Sequence, residues 1–110
     1  MKSYRIEFTD PASDDLVEIY DYIAKILREP RSAARIYRAI RRGIQSLATM
    51  PERFQVVYEP PYREMGVRKL FVENYTVFYI VGKDHVTVLR VLYNRREWQH
   101  ILGFGMDAEE

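Results

Sequence analysis

Apolar positions along the first third of the chain change from an alternating to a helical spacing. Residues 4–8 alternate between apolar and polar side chains, which predicts a short half-buried strand. The next segment predicts a helix that Thr9 or Asp10 caps and that ends near Arg28. Its buried stripe is predicted to consist of Ala12, Leu16, Ile19, Tyr20, Ile23 and Leu27.

A second amphipathic helix is predicted to follow, with Ser32 as its cap and Pro51 closing it. Its apolar stripe consists of Ile36, Tyr37, Ile40, Ile44 and Leu47. The opposite side carries Arg31, Arg35, Arg38 and Arg42, of which the last three share one face that we expect to be exposed. Because only a few residues join the two helices, we expect an antiparallel helical hairpin.

The second half of the chain favours strands. Residues 51–66 contain three prolines and are predicted to be irregular, with a strand fragment at residues 54–58. Three strands are then predicted in "VRKLFVEN", "YTVFYIVG" and "HVTVLRVLY". The middle one is apolar on both faces except at Thr76, which is typical of a central strand. Asn94 is predicted to cap a short closing helix, and residues 103–110 are expected to form a flexible tail.

This order of elements predicts one α+β domain over residues 1–110. It comprises an N-terminal strand, an antiparallel two-helix hairpin, a three- to four-stranded mostly antiparallel sheet and a short C-terminal helix. The first strand must join the later sheet after a long crossover.

Composition narrows the possible functions. The 110 residues are 47% hydrophobic, which is enough for a core. The absence of cysteine excludes disulfides, thiolate metal sites and a cysteine nucleophile. We expect no metal and no cofactor, because the two histidines are far apart and the glycines are scattered. With no apolar run of a signal peptide or a membrane span, we expect a cytoplasmic protein without membrane contact.

Charge is unevenly distributed, although the net charge is only +1. The region before residue 25 is acidic, residues 28–42 are basic, and basic residues return from residue 63. The C-terminal basic cluster is placed on neighbouring strands and their ends and includes Arg68, Lys69, Arg90, Tyr93, Arg95 and Arg96. Guanidinium groups bind phosphate and carboxylate bidentately, so this cluster is either an anion-binding site or a solvated junction between strand and helix.

Several quoted segments together are similar to one known family. The "DPASDDLVEIYDYI" helix, the basic helix ending "IQSLATMP", the "VRKLFVENYTVFYIV" hairpin and the "VTVLRVLYNRREWQHIL" ending resemble the RelE/ParE superfamily of bacterial type II toxins, over roughly residues 3–102. The resemblance implies a growth-inhibiting toxin neutralised by a cognate antitoxin. It also implies that operator DNA is reached only through the antitoxin.

The resemblance leaves three alternatives. RelE-like members cleave mRNA on the ribosome, and for that case the resemblance implies catalytic roles for Lys69, Tyr93, Arg95 and Arg96. ParE-like members inhibit DNA gyrase, and Thr76 favours this alternative, because RelE-like toxins usually carry arginine after the tyrosine that begins the central strand. A degenerate toxin that only binds antitoxin and regulates transcription is the third. Target or antitoxin contacts are expected from Arg68, Arg90, Arg95, Arg96, Trp98 and His100, although packing of the last helix is the favoured role of Trp98.

Overall fold

A four-stranded sheet and a helical hairpin make up most of the computed structural model, which describes residues 2–94. The strands and helices are β1 (Arg5–Phe8), α1 (Asp10–Asp21), α2 (Pro30–Gln45), α3 (Tyr62–Met65), β2 (Arg68–Val72), β3 (Tyr75–Val81) and β4 (His85–Tyr93). A π-helical turn (Tyr22–Ile26) and 3₁₀ turns (Ser46–Ala48 and Pro51–Arg53) complete the set. The predicted C-terminal helix and tail lie outside the described residues.

The strand order in the sheet is β1-β4-β3-β2. β1 pairs in parallel with β4, and the other neighbours are antiparallel. This arrangement confirms the predicted α+β class, the crossover of the first strand and the interior position of β3. The two residues between β2 and β3 form a tight turn in which Glu73 has a φ of 56°.

The helical hairpin begins as the sequence predicts. The predicted buried stripe of the first helix is wrong at Tyr20 and Leu27, which are exposed, and the predicted start of α2 is also wrong. The Thr9 hydroxyl accepts a hydrogen bond from the Ala12 N–H at 3.1 Å and so caps α1. The prediction that Ser32 caps α2 is wrong, because the helix already starts at Pro30, where the fixed φ of proline suits the first turn. The exposure of Arg35, Arg38 and Arg42 is confirmed.

One face of the sheet packs against the hairpin. The buried residues of α2 and of the turn after it meet the buried side chains of the strands, and the cluster includes Ile40, Ile44, Leu47, Val77, Tyr79, Val86 and Val88. Helix and sheet approach closely at Gly43, where a Cβ atom would lie 2.7 Å from Cγ2 of Val72. A side chain at this position would therefore push α2 away from β2.

The other face of the sheet is covered by the segment after α2, which was predicted to be irregular. Val57, Tyr62 and Val67 pack on the buried side chains of Phe78, Leu89 and Leu92. The predicted strand fragment is only an isolated bridge, and a short helix, α3, stands in a stretch that was predicted to contain none. The prolines led to the prediction of an irregular segment. The segment nevertheless contributes three of the six buried residues of a second hydrophobic core.

Tyr79 links this chain segment to the first core, and the pKa of its hydroxyl is raised. Its fully buried hydroxyl donates to the Pro51 carbonyl at 2.7 Å. Burial raises the pKa of Tyr79 to about 12. Since the unfolded value is about 10, this contribution to stability is complete below about pH 10 and is lost as the pH rises toward 12.

We expect Tyr79→Phe to remove that pH dependence. A shift of two pKa units corresponds to roughly 3 kcal/mol, which the wild type should lose as the pH rises from about 10 through 12 and the variant should not. Urea unfolding at several pH values measures the difference, with the exposed Tyr58→Phe as control. A constant free-energy gap between wild type and variant across this range would contradict the expectation.

Candidate functional site

The edge of β4 changes its partner half-way along the strand. β1 pairs with it as far as Phe8 opposite Val88. Thr9 then continues the edge, because its N–H donates to the Val88 carbonyl at 3.0 Å and its hydroxyl donates to the Leu89 carbonyl at 2.8 Å. The start of α1 thus serves as an extension of the sheet.

Asp15 completes this edge and binds Arg90. Asp15 as a whole residue is 6% exposed. Its carboxylate accepts hydrogen bonds from Nε and Nη2 of Arg90, both at 2.8 Å. It also accepts the Val91 N–H at 2.9 Å. The hydrogen bond to Asp15 raises the pKa of Arg90, against the effect of its partial burial. One carboxylate therefore holds both the side chain and the backbone of the strand end.

A β-bulge lies beside this ion pair. The pairing of β3 with β4 shifts so that Phe78 is opposite Arg90 while Tyr79 is opposite Val88. Leu89 is the extra residue, and its buried side chain joins the second-face cluster. The bulge thus explains how consecutive residues of β4 reach both the second core and α1.

Arg68 is the second predicted contact arginine that the structure describes, and it also contacts the chain itself. Its Nη1 donates to the carbonyls of Glu52 at 3.1 Å and Phe54 at 2.7 Å. These bonds fasten the segment after α2 to β2. Arg68 and Arg90 are thus both used inside the fold, which sequence alone did not show.

The two described residues of the RelE-like catalytic set do not come together. Lys69 pairs with Phe78 of β3, whereas Tyr93 pairs with Tyr75, which in turn pairs with Val72. Because Lys69 and Val72 are three positions apart on one strand, Lys69 and Tyr93 point to opposite faces of the sheet. The other candidate contact residues, Arg95, Arg96, Trp98 and His100, lie outside the described residues.

A groove of about 980 Å³ opens between the far end of the hairpin and the ends of the sheet strands. Three tyrosines line it: Tyr22 of the π-helical turn, which is 54% exposed, and the pair Tyr75 and Tyr93, whose ring centroids are 5.5 Å apart. Burial, followed by its two tyrosine neighbours, raises the pKa of Tyr75. Across the groove rim, Arg35 and Glu73 form an ion pair at 3.3 Å.

Sequence reasoning identified only part of this groove. Tyr93 and Arg90 were singled out, but Tyr22 and Tyr75 were missed as site residues, because a helix and a central strand explained them. Only the strand register, which places Tyr75 opposite Tyr93, brings these side chains to one place. The charged side chains that line the groove are mainly acidic and include Glu18, Glu29 and Glu73, which makes the groove a poor surface for phosphate.

Thr76 follows Tyr75, at the position where the resemblance to RelE-like toxins implies an arginine. It is buried, and its hydroxyl donates to Oδ1 of Asn94. The side chain at this position therefore ties β3 to the end of β4.

Among residues 2–94, no three His, Asp or Glu side chains form a group that could hold a metal ion. None of the helices in the same residues is long and apolar enough to span a membrane.

Residues 6–98 match the sequence profile of the family described as ParE toxin of type II toxin-antitoxin system, parDE. The chain belongs to this family. No curated protein sequence matches it. The membership confirms the resemblance to RelE/ParE toxins that the quoted segments indicate.

Several solved structures share the fold of this ParE-family chain, among them two chains from toxin–antitoxin systems. One is a chain of the chromosomal ParDE toxin–antitoxin system from P. aeruginosa, with a TM-score of 0.70 and 23% identity, covering 83% of this chain and 96% of the other. Another belongs to the toxin–antitoxin complex RelBE2 from Mycobacterium tuberculosis, with a TM-score of 0.59 and 22% identity, covering 84% and 93%. At such identities the likeness shows the fold alone.

Proposed function

We propose that this ParE-family toxin acts on DNA gyrase and arrests bacterial growth until a cognate antitoxin neutralises it. The observation that carries the proposal is the match of residues 6–98 to the ParE profile, which spans every strand and helix described above except the first residue of β1. Gyrase as the target is the inference from family membership, and the geometry supports it in two places.

The first support is that the two described residues of the RelE-like catalytic set, Lys69 and Tyr93, lie apart from each other. A nuclease site needs its basic and acid–base groups within hydrogen-bonding reach of one phosphate. Lys69 and Tyr93 lie on opposite faces of the sheet, so they do not meet at one phosphate. The second support is Thr76, a buried hydroxyl at the position where arginine would be expected in a nuclease.

The antitoxin is proposed to occupy the groove at the hairpin end. The exposed rings of Tyr22 and Tyr93, the latter lying beside buried Tyr75, supply aromatic anchors of the kind that dominate protein interfaces. Arg68 and Arg90 bond to the chain's own oxygens, so the antitoxin's acidic groups are proposed to meet Arg95 and its neighbour Arg96 instead. Trp98 and His100 stay proposed contacts with the target or the antitoxin.

Two assays with the purified protein test the target. We expect inhibition of gyrase-catalysed supercoiling and no effect on protein synthesis in a translation extract. Ribosome-dependent mRNA cleavage without gyrase inhibition would establish the RelE-like alternative, and inactivity in both assays with retained antitoxin binding would establish the degenerate co-regulator. The Arg95→Ala/Arg96→Ala variant, produced without antitoxin, should lose growth arrest at an unchanged protein level if these arginines contact the target.

A further inference from the structure

The exposed face of α2 is lined by arginine side chains along its whole length. Helix geometry of 3.6 residues per turn places four arginines within an arc of about 60° and over a length of about 16 Å. We call these residues the arginine row: Arg31, Arg35, Arg38 and Arg42. All four are exposed, and the 16-residue helix contains no acidic residue.

Most of the arginine row is unpaired within the described part of the chain. Only Arg35 meets a carboxylate there, that of Glu73 at 3.3 Å. Arg41, the remaining arginine of α2, turns aside and lies over the Phe8 ring, with its guanidinium carbon 5.5 Å from the ring centroid. Three guanidinium groups, on Arg31, Arg38 and Arg42, are thus presented to solvent in one line.

We propose that the arginine row binds the phosphate backbone of duplex DNA. This surface goes beyond the proposed action on gyrase and beyond the expectation that operator DNA is reached only through the antitoxin. B-DNA carries one negative charge per about 1.7 Å of axis, so a line of cations about 16 Å long meets charge along all of its length. Arginine is the side chain best suited to bidentate contacts with phosphate.

The surroundings of the row favour duplex DNA over other polyanions. Arginine contributes strongly to protein interfaces where packed neighbours exclude water from it, and no large apolar side chain of α2 is exposed beside the row to do so. Single strands are held by aromatic rings on which bases stack, and Tyr37 is instead packed edge-on against Tyr20, with centroids 6.1 Å apart. A duplex needs neither, because phosphate contacts alone give binding that is independent of sequence.

Salt dependence of DNA binding tests the proposal directly. Fluorescence anisotropy with a labelled random-sequence 20-base-pair duplex should give a slope of log K against log[salt] of about −3.6 if four phosphates are neutralised. The triple variant Arg31→Gln/Arg38→Gln/Arg42→Gln should reduce the slope by about 2.7 and weaken binding about tenfold or more in low salt.

The matched control removes the same charge elsewhere. Lys25→Gln/Arg63→Gln/Lys83→Gln also lowers the net charge by three, from exposed positions outside α2. Retention of the wild-type slope by the control supports the proposal. Equal losses of DNA affinity and of salt slope in both triple variants would show that only net charge matters, and would overturn the proposal.

Two further probes exclude the other polyanions. A single-stranded RNA 20-mer or a polyglutamate peptide that binds the row more tightly than the duplex would overturn the assignment to duplex DNA.

Circular dichroism of the triple variant should match the wild type, since the replaced side chains are exposed. Gyrase inhibition is measured separately, so failure of DNA binding is distinguishable from failure of the proposed target.

Discussion

Replacing Asp15 by Ala is expected to lower the free energy of unfolding by ~3–5 kcal/mol, the range for breaking a buried ion pair by removing one partner. Urea unfolding monitored by circular dichroism measures the change as a lower midpoint with a similar slope. The effect should exceed that of any other single replacement of a charged residue among residues 2–94.

Three hydrogen bonds end on this one carboxylate. Removal of Asp15 leaves the Arg90 guanidinium, whose side chain is 21% exposed, without its bidentate acceptor. It also leaves the Val91 N–H at the strand edge without an acceptor. Each donor that loses its partner away from water weakens the fold, and a charged donor does so more than a neutral one.

A neighbouring residue and a double variant serve as controls. Asp14 is exposed beside Asp15, so Asp14→Ala should change stability by less than about 0.5 kcal/mol. Asp15→Leu/Arg90→Met removes both charges and should recover much of the loss, because apolar replacement of a buried pair is often close to neutral. Equal stability of Asp15→Ala and Asp14→Ala would show that the ion pair contributes nothing.

Elements with a clear periodicity could be predicted from the sequence. The hairpin and the interior strand β3 each carry a long pattern, helical in one case and apolar on both faces in the other. The Thr9 cap was predictable because capping is a local interaction. These features need no knowledge of which strands are neighbours.

Contacts that depend on register could not be predicted. Asp15 and Arg90 are 75 residues apart and meet only because β1 ends where α1 begins and a bulge shifts β4 at Leu89. Sequence reasoning therefore assigned Arg90 to a partner. The same holds for Arg68, whose acceptors are backbone carbonyls that no pattern of residue types reveals.

The candidate site was predictable only as a list of residue types. Tyr93 was singled out for its chemistry, but its neighbour Tyr75 belongs to the groove through strand pairing alone. Lys69 was grouped with Tyr93 because the resemblance to RelE-like toxins implies catalytic roles for both, but alternation along β2 places them on different faces of the sheet. Composition thus indicated an interaction surface without locating it.

The second face of the sheet gives the other large expected effect. Phe78→Ala should destabilise the protein by ~3–5 kcal/mol, the range for truncating a buried phenylalanine. Phe78 is 1% exposed and packs with Val57, Tyr62 and Val67. Because those three residues belong to the segment that covers this face, its loss should also increase protease cleavage within residues 51–67 under native conditions.

Phe71 is the matched control, because it pairs with Thr76 and so shares a sheet face with Phe78. It stands on the edge strand β2 and is 58% exposed, so Phe71→Ala should change stability by less than about 0.5 kcal/mol and leave cleavage unchanged. If this face were instead left open for a partner, both phenylalanines would be partner contacts. The two variants would then have similar stability in the free protein and would differ only in binding. A clear difference between them in the free protein means that residues 51–67 themselves close the second core.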